Sequence, residues 1–255
     1  MVGYDSRSRS QDRRQNYKQR EERDRINDMR NELKDKRWAT RKQGLALFQG
    51  YVQNNKQVII NDSEFLNLYI DRLLDDDRNV ALCAIGMIRD VTTHLSDYIS
   101  NDHTIQNRMI AALVEQETNE DDEISDEADD GFTRLTRALD QQSLVISLSH
   151  ALKINEIEGK IYVAPFLQDV CSTLARQQPE PSVAWDHAVP AMFHSLGSID
   201  KPRRDYDKNE RQLYSAVRGL ARTLNKIFPN KRVSTEAHRK LARSQFQCFK
   251  AMIDE

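Results

Sequence analysis

From Leu33 onward, apolar residues recur every three or four positions in one stretch after another. No stretch alternates apolar and polar residues over the length of a strand. A period of 3.6 with no competing period of two describes a chain built of amphipathic helices. The punctuation agrees: 8 Gly and 6 Pro in 255 residues are too few for the tight turns of an all-β fold. With 38% hydrophobic and 31% charged residues, the chain is polar for a compact globule. That composition suits an architecture in which each helix pair touches only its neighbours and the surface is large for the volume.

The period predicts a first helix carrying Trp38, Leu45, Leu47, Phe48, Tyr51 and Val52 on one face. A second carries Phe65, Leu66, Leu68, Tyr69, Ile70, Leu73 and Leu74, with Asp62 or Ser63 as its cap. Asp75-Asp76-Asp77 ends that helix and places anions at the N-terminus of a third, which carries Val80, Ala84, Ile85, Met87, Ile88, Val91 and Leu95. A fourth runs near residues 103–118. Beyond it, helices are expected over about 132–154, 160–177, 182–196, 208–228 and 234–253, with Pro190 kinking or dividing the third of these.

Charge divides the chain unevenly. Residues 1–42 hold 14 Lys and Arg against 8 Asp and Glu, residues 43–199 hold 10 against 25, and residues 200–250 hold 14 against 5. Residues 1–28 contain almost nothing to bury and read as a disordered basic arm that turns helical from about Gln19. Residues 115–130 contain ten acidic and no basic residues, so residues 119–131 read as a flexible acidic loop. The expected division is therefore an arm over 1–28, a helical block over 29–118, the loop over 119–131, and a second helical block over 132–255 whose C-terminal part is basic.

Within the first block the helix pairs repeat. One unit reads Asp35, Trp38, Thr40, Arg41, Gly44, Leu47 and Phe48; the next reads Leu73, Leu74, Asp76, Asp77, Val80, Ala84 and Ile88. Superposing Thr40 on Val80 and Gly44 on Ala84 gives an offset of 40, inside the ~40–47-residue period of HEAT and armadillo units. A small residue at the second of these positions lets one helix lie close to its neighbour, and the apolar positions around it fill the groove. Val145 and Ala184 form a weaker echo. Residues 33–98 thus resemble the HEAT/armadillo repeat family, with Ala81 standing where the first unit has Arg41. The resemblance implies an all-α, α-solenoid-like stack of antiparallel helix pairs, and a protein that works by binding.

Catalytic signatures are absent: there is no glycine-rich phosphate loop, no HExxH and no GxSxG. Cys83, Cys171 and Cys248 are far apart and odd in number, and only His187 and His194 share a segment, with Pro190 between them. Neither pattern predicts a disulfide framework, a metal site or a cofactor. No apolar run approaches the ~18 residues that span a bilayer, and the N-terminal residues lack the apolar core of a secretory signal, so an intracellular setting, cytoplasmic or nuclear, is expected.

The expected function is that of a non-catalytic scaffold for a protein partner. The alternative is a nucleic-acid-binding protein that coats or packages RNA. Candidate contact residues for a nucleic acid or an acidic partner are Arg7, Arg9, Arg13 and Arg14 in the arm, with Arg203, Arg204, Arg211, Arg218, Arg222, Lys226, Lys231 and Arg232 near the C-terminus. Arg211, Arg218, Arg222 and Lys226 fall along one helical stripe, opposite Leu213, Val217, Leu220, Leu224 and Ile227.

Overall fold

The computed structural model describes residues 6–199, 206–228 and 232–254, with side chains from Tyr17 onward except Lys18. Among these residues every regular element is helical. The chain divides into two compact units, Met1–Met87 and Ile88–Glu255.

In the first unit, α1 (Ser6–Leu33) pairs with α2 (Trp38–Asn54), and a short α3 (Lys56–Ile60) leads to α4 (Glu64–Leu73) and α5 (Arg78–Gly86). The two hairpins stack, with α1 on α4 in one layer and α2 on α5 in the other. Gly44 permits the close crossing of α1 and α2: a Cβ there would stand 2.7 Å from the Leu33 nitrogen and 3.0 Å from the Glu32 carbonyl carbon. Phe48 and Tyr69 stack between the layers at 5.0 Å, and the Tyr69 hydroxyl donates to the Ala84 carbonyl at 2.9 Å. Helix α1 begins well before Gln19, the point at which the sequence suggested helix; beyond that point Arg25–Glu21, at 2.8 Å and spacing i,i+4, supports it.

The second unit opens with α6 (Ile88–Asn101). It continues with α7 (His103–Glu117), α8 (Asp122–Ala138), α9 (Gln141–Ile154) and α10 (Ile157–Gln177). A π turn at Ala184–Ala188 enters α11 (Val189–Gly197), followed by α12 (Lys208–Ile227), α13 (Arg232–Lys240) and α14 (Arg243–Asp254). Helices α7, α9 and α11 form one layer, while α8, α10 and α12 pair with them in the other; α13 and α14 pack on α11 and α12. The helix expected over 182–196 changes from a π turn to α11 just before Pro190. Pro190 sits in the first turn of α11, where a missing N–H is least harmful, and the wide π turn precedes it.

From Asp122 the acidic stretch is a helix, which corrects the expectation of a flexible loop over 119–131. Helix α8 starts at Asp122 and turns Ile124, Ala128 and Phe132 inward, all buried, while its carboxylates face outward. Asp121 caps it by accepting from the Glu123 and Ile124 amides, and the acidic first turn lies where the helix dipole favours anions. The boundary between the units falls at Met87, and the acidic stretch lies inside the second unit.

With α8 recognised, the repeat extends. Val80, Ala84 and Ile88 recur as Ile124, Ala128 and Phe132 at an offset of 44. Thr92 and Thr136 follow the same offset, and each donates its hydroxyl to the carbonyl four residues back, Ile88 and Phe132 respectively. Val145 and Ala184, the weaker echo, fall in two elements that pack together, α9 and the π turn. The fold is an all-α stack of antiparallel helix pairs, as the repeat offset predicted.

Candidate protein-interaction surface

Three of the turns that join paired helices share one construction. Asp35 accepts from the Arg37 amide at 2.7 Å and Asp75 from the Asp77 amide at 3.0 Å. In the second unit Asn119 accepts from the Asp121 amide at 2.9 Å. Such Asx turns hold a short connection without glycine and place the next helix start at a set angle. Asp77 then caps α5 by accepting from the Asn79 and Val80 amides.

In the first unit the two turns are bolted together by Arg41. Its Nε and Nη2 donate to the two oxygens of Asp75 at 2.8 and 2.5 Å, and Nη2 also reaches Asp76 at 2.9 Å. Its Nη1 donates to the carbonyls of Asp35 and Lys36 at 3.2 and 2.8 Å. The Asp75 side chain is 1% exposed and that of Arg41 is 8% exposed. Burial pushes the Asp75 carboxyl up, but the bonds from Arg41 and the Asp77 amide, with the charge of Arg72 at 3.0 Å, outweigh it and hold the group below the usual carboxylate range. The same bond to Asp75 holds the Arg41 guanidinium more firmly protonated.

This bolt fixes a ridge on which Trp38 stands. The period placed Trp38 on the apolar face of α2, but it is the first residue of that helix and remains 48% exposed. Leu74, expected inside α4, follows its last residue and is 40% exposed on the adjoining turn. A shallow cavity of about 500 Å³ opens beside Trp38 between Lys36, Arg37, Asp76 and Asp77. The ridge therefore offers an aromatic anchor with cations on one side and carboxylates on the other. Sequence periodicity missed it; the signal present in the sequence was the equivalence of Asp35 and Asp75 at the repeat offset of 40.

The arginines singled out from the sequence have divided roles. Arg211 is exposed, and its Nε donates to the Tyr206 carbonyl at 3.0 Å. Arg222 is half-buried, and its Nε donates to the Met252 carbonyl at 2.9 Å, which ties α12 to the last turn of α14. Arg218 is half-buried on the same helix. Lys226 is exposed and lines a second groove of about 550 Å³ between α10 and α12. Arg232 lies 4.1 Å over the ring of Trp185 and bonds Glu180, which lines that groove, at 3.2 Å. The side chains of Arg7, Arg9, Arg13 and Arg14, and residues Arg203, Arg204 and Lys231, lie outside those described.

Among the described residues no group of three or more His, Cys, Asp or Glu is arranged to hold a metal ion. No described helix is long and apolar enough to cross a membrane.

No family model matches the chain, and no curated protein matches it. In structure it is similar to a protein solved in work on TOG–tubulin binding specificity, microtubule dynamics and mitotic spindle formation, with TM-score 0.59 and 10% identity over 88% of this chain and 80% of that one. It is also similar to an engineered protein, with TM-score 0.42 and 12% identity over 91% and 95% of the two chains. A designed armadillo repeat protein matches with TM-score 0.40 and 11% identity over 89% and 97%. At these identities the likeness is one of fold.

Proposed function

We propose that the chain is a non-catalytic helical-repeat scaffold that binds a protein partner, and that the turn ridge of its first unit, centred on Trp38, is the contact. The observation that carries this reading is a half-exposed tryptophan on a turn held by a buried ion pair. Tryptophan is the side chain most enriched at the centre of protein interfaces, and an anchor fixed in advance loses little freedom on docking. Lys36, Arg37 and Asp76 around it supply the polar rim such a centre requires. Since the fold is similar to that of a protein studied for tubulin binding, purified tubulin is the first partner to test.

The test is the affinity of the wild type and of Trp38→Ala for tubulin, with circular dichroism confirming that the variant folds. The reading expects binding that weakens at least about tenfold in the variant while melting is unchanged. A wild type that ignores tubulin removes tubulin from the proposal. Tubulin binding that survives Trp38→Ala removes the ridge.

A further inference from the structure

The groove between α10 and α12 lies far along the chain from the Trp38 ridge and has its own chemistry. Half-buried Ala175 and Ile227 line it with the hydroxyls of Ser172 and Thr223, and Arg176, Pro179 and Lys226 stand exposed on its rim. The one carboxylate in its lining, Glu180, is engaged by Arg232, which is itself held over Trp185. The groove therefore presents a net cationic rim, a surface suited to an acidic segment.

We propose that its occupant is the outer face of α8 from a second copy of this chain. That face meets the same description from the other side. No Lys, Arg or His occurs from residue 109 to residue 133, and Asp122, Asp126 and Glu127 are exposed along the first turns of α8. Asp130 is paired with Arg134, and Asp129 accepts from the Tyr162 hydroxyl, so the charge offered outward is that of Asp122, Asp126 and Glu127. Carboxylates spaced i,i+4 on one face, as Asp122 and Asp126 are, repel one another, and a cationic partner relieves that repulsion.

The two surfaces cannot meet within one molecule. Helix α10 lies between them: Tyr162 and Phe166 pack against Phe132 of α8, whereas Gln168 on the opposite flank of α10 approaches Gly219 of α12. The pairing therefore joins different patches on two copies. Where a two-fold axis lets both patches pair at once the contact closes as a dimer; otherwise it leaves one acidic and one cationic surface open for the next copy.

Sedimentation velocity of the full chain across a concentration series tests this, at low ionic strength and at about 0.3 M salt, where screening shortens the reach of charge to several ångström. The wild type is expected to associate with concentration at low salt and to dissociate at high salt. Arg176→Glu with Lys226→Glu, and separately Asp126→Lys with Glu127→Lys, are each expected to remain single species at low salt with unchanged circular dichroism. Mixing the two variants restores association, because each then supplies the complement the other lacks. Lys226→Glu alone gives the same reading should the double change impair folding. A wild type that stays monomeric at low salt, a variant that associates as the wild type does, or a mixture that remains apart overturns the proposal.

Discussion

Arg41 and Asp75 stand 34 residues apart in the chain and meet through two hydrogen bonds of 2.8 and 2.5 Å, buried between consecutive helix turns. The guanidinium donates to three further acceptors, the carboxylate of Asp76 and the carbonyls of Asp35 and Lys36. A buried charge so fully engaged is a device of register: it holds the two turns in one relation and with them the ridge that carries Trp38.

Removing one partner of this pair leaves the other buried and short of its main counter-charge, with only Asp76 still on Arg41 or Arg72 still on Asp75. Asp75→Ala and Arg41→Ala are each expected to lose about 3–5 kcal/mol of stability in urea denaturation. The double variant is expected to lose less than the sum of the two, with a coupling of about 1–3 kcal/mol. Simple additivity would show that the pair contributes nothing beyond its separate packing.

The same pair sets an acid dependence. The Asp75 carboxyl is held below its ordinary value in the folded chain, whereas the unfolded chain has an aspartate near about 3.9. The stability it contributes is therefore fully present above about pH 5 and is lost as the pH falls through the unfolded and then the depressed folded value. Urea midpoints measured from pH 6 down to pH 3 are expected to fall less steeply for Asp75→Asn than for the wild type. Parallel slopes would contradict this.

The register of α8 separates inward from outward positions within one turn. Ala128 is fully buried, and Ala128→Asp places an unpaired charge in the core, so the melting transition is expected to fall by many degrees or vanish. Glu127, its neighbour, is exposed, and Glu127→Gln is expected to change stability by no more than about 0.5 kcal/mol. Equal tolerance at both positions would mean that the acidic stretch does not pack as a helix.

Arg222 is engaged at the end of α14. Arg222→Gln is expected to weaken the docking of that helix by about 1.5 kcal/mol, the low end for a hydrogen bond to a charged group. Hydrogen exchange is the direct readout: amides of α14 gain exchange while those of α10 do not. Unchanged protection in α14 would leave the Met252 contact without structural weight.

What the sequence by itself determined is what depends on near neighbours. The period of apolar residues established helices, the offset of 40 between Gly44 and Ala84 established stacked pairs, and the Asp-rich turn at 75–77 established where one helix ends and the next begins. These features are legible because side chains three, four or seven apart share a helix face whatever lies beyond it. Three features were decided only in the tertiary structure. The acidic α8 is helical because Ile124, Ala128 and Phe132 find a core, a gain that outweighs repulsion among solvated carboxylates and that no count of charge reveals. Trp38 is exposed because it is the first residue of its helix, where an apolar residue is not compelled to face inward. Arg41 and Arg222 are structural because their acceptors, Asp75 and the Met252 carbonyl, arrive from elements 34 and 30 residues away. A cation's sequence neighbours do not say whether it meets water, a carboxylate or a helix end; the packing of distant elements decides that.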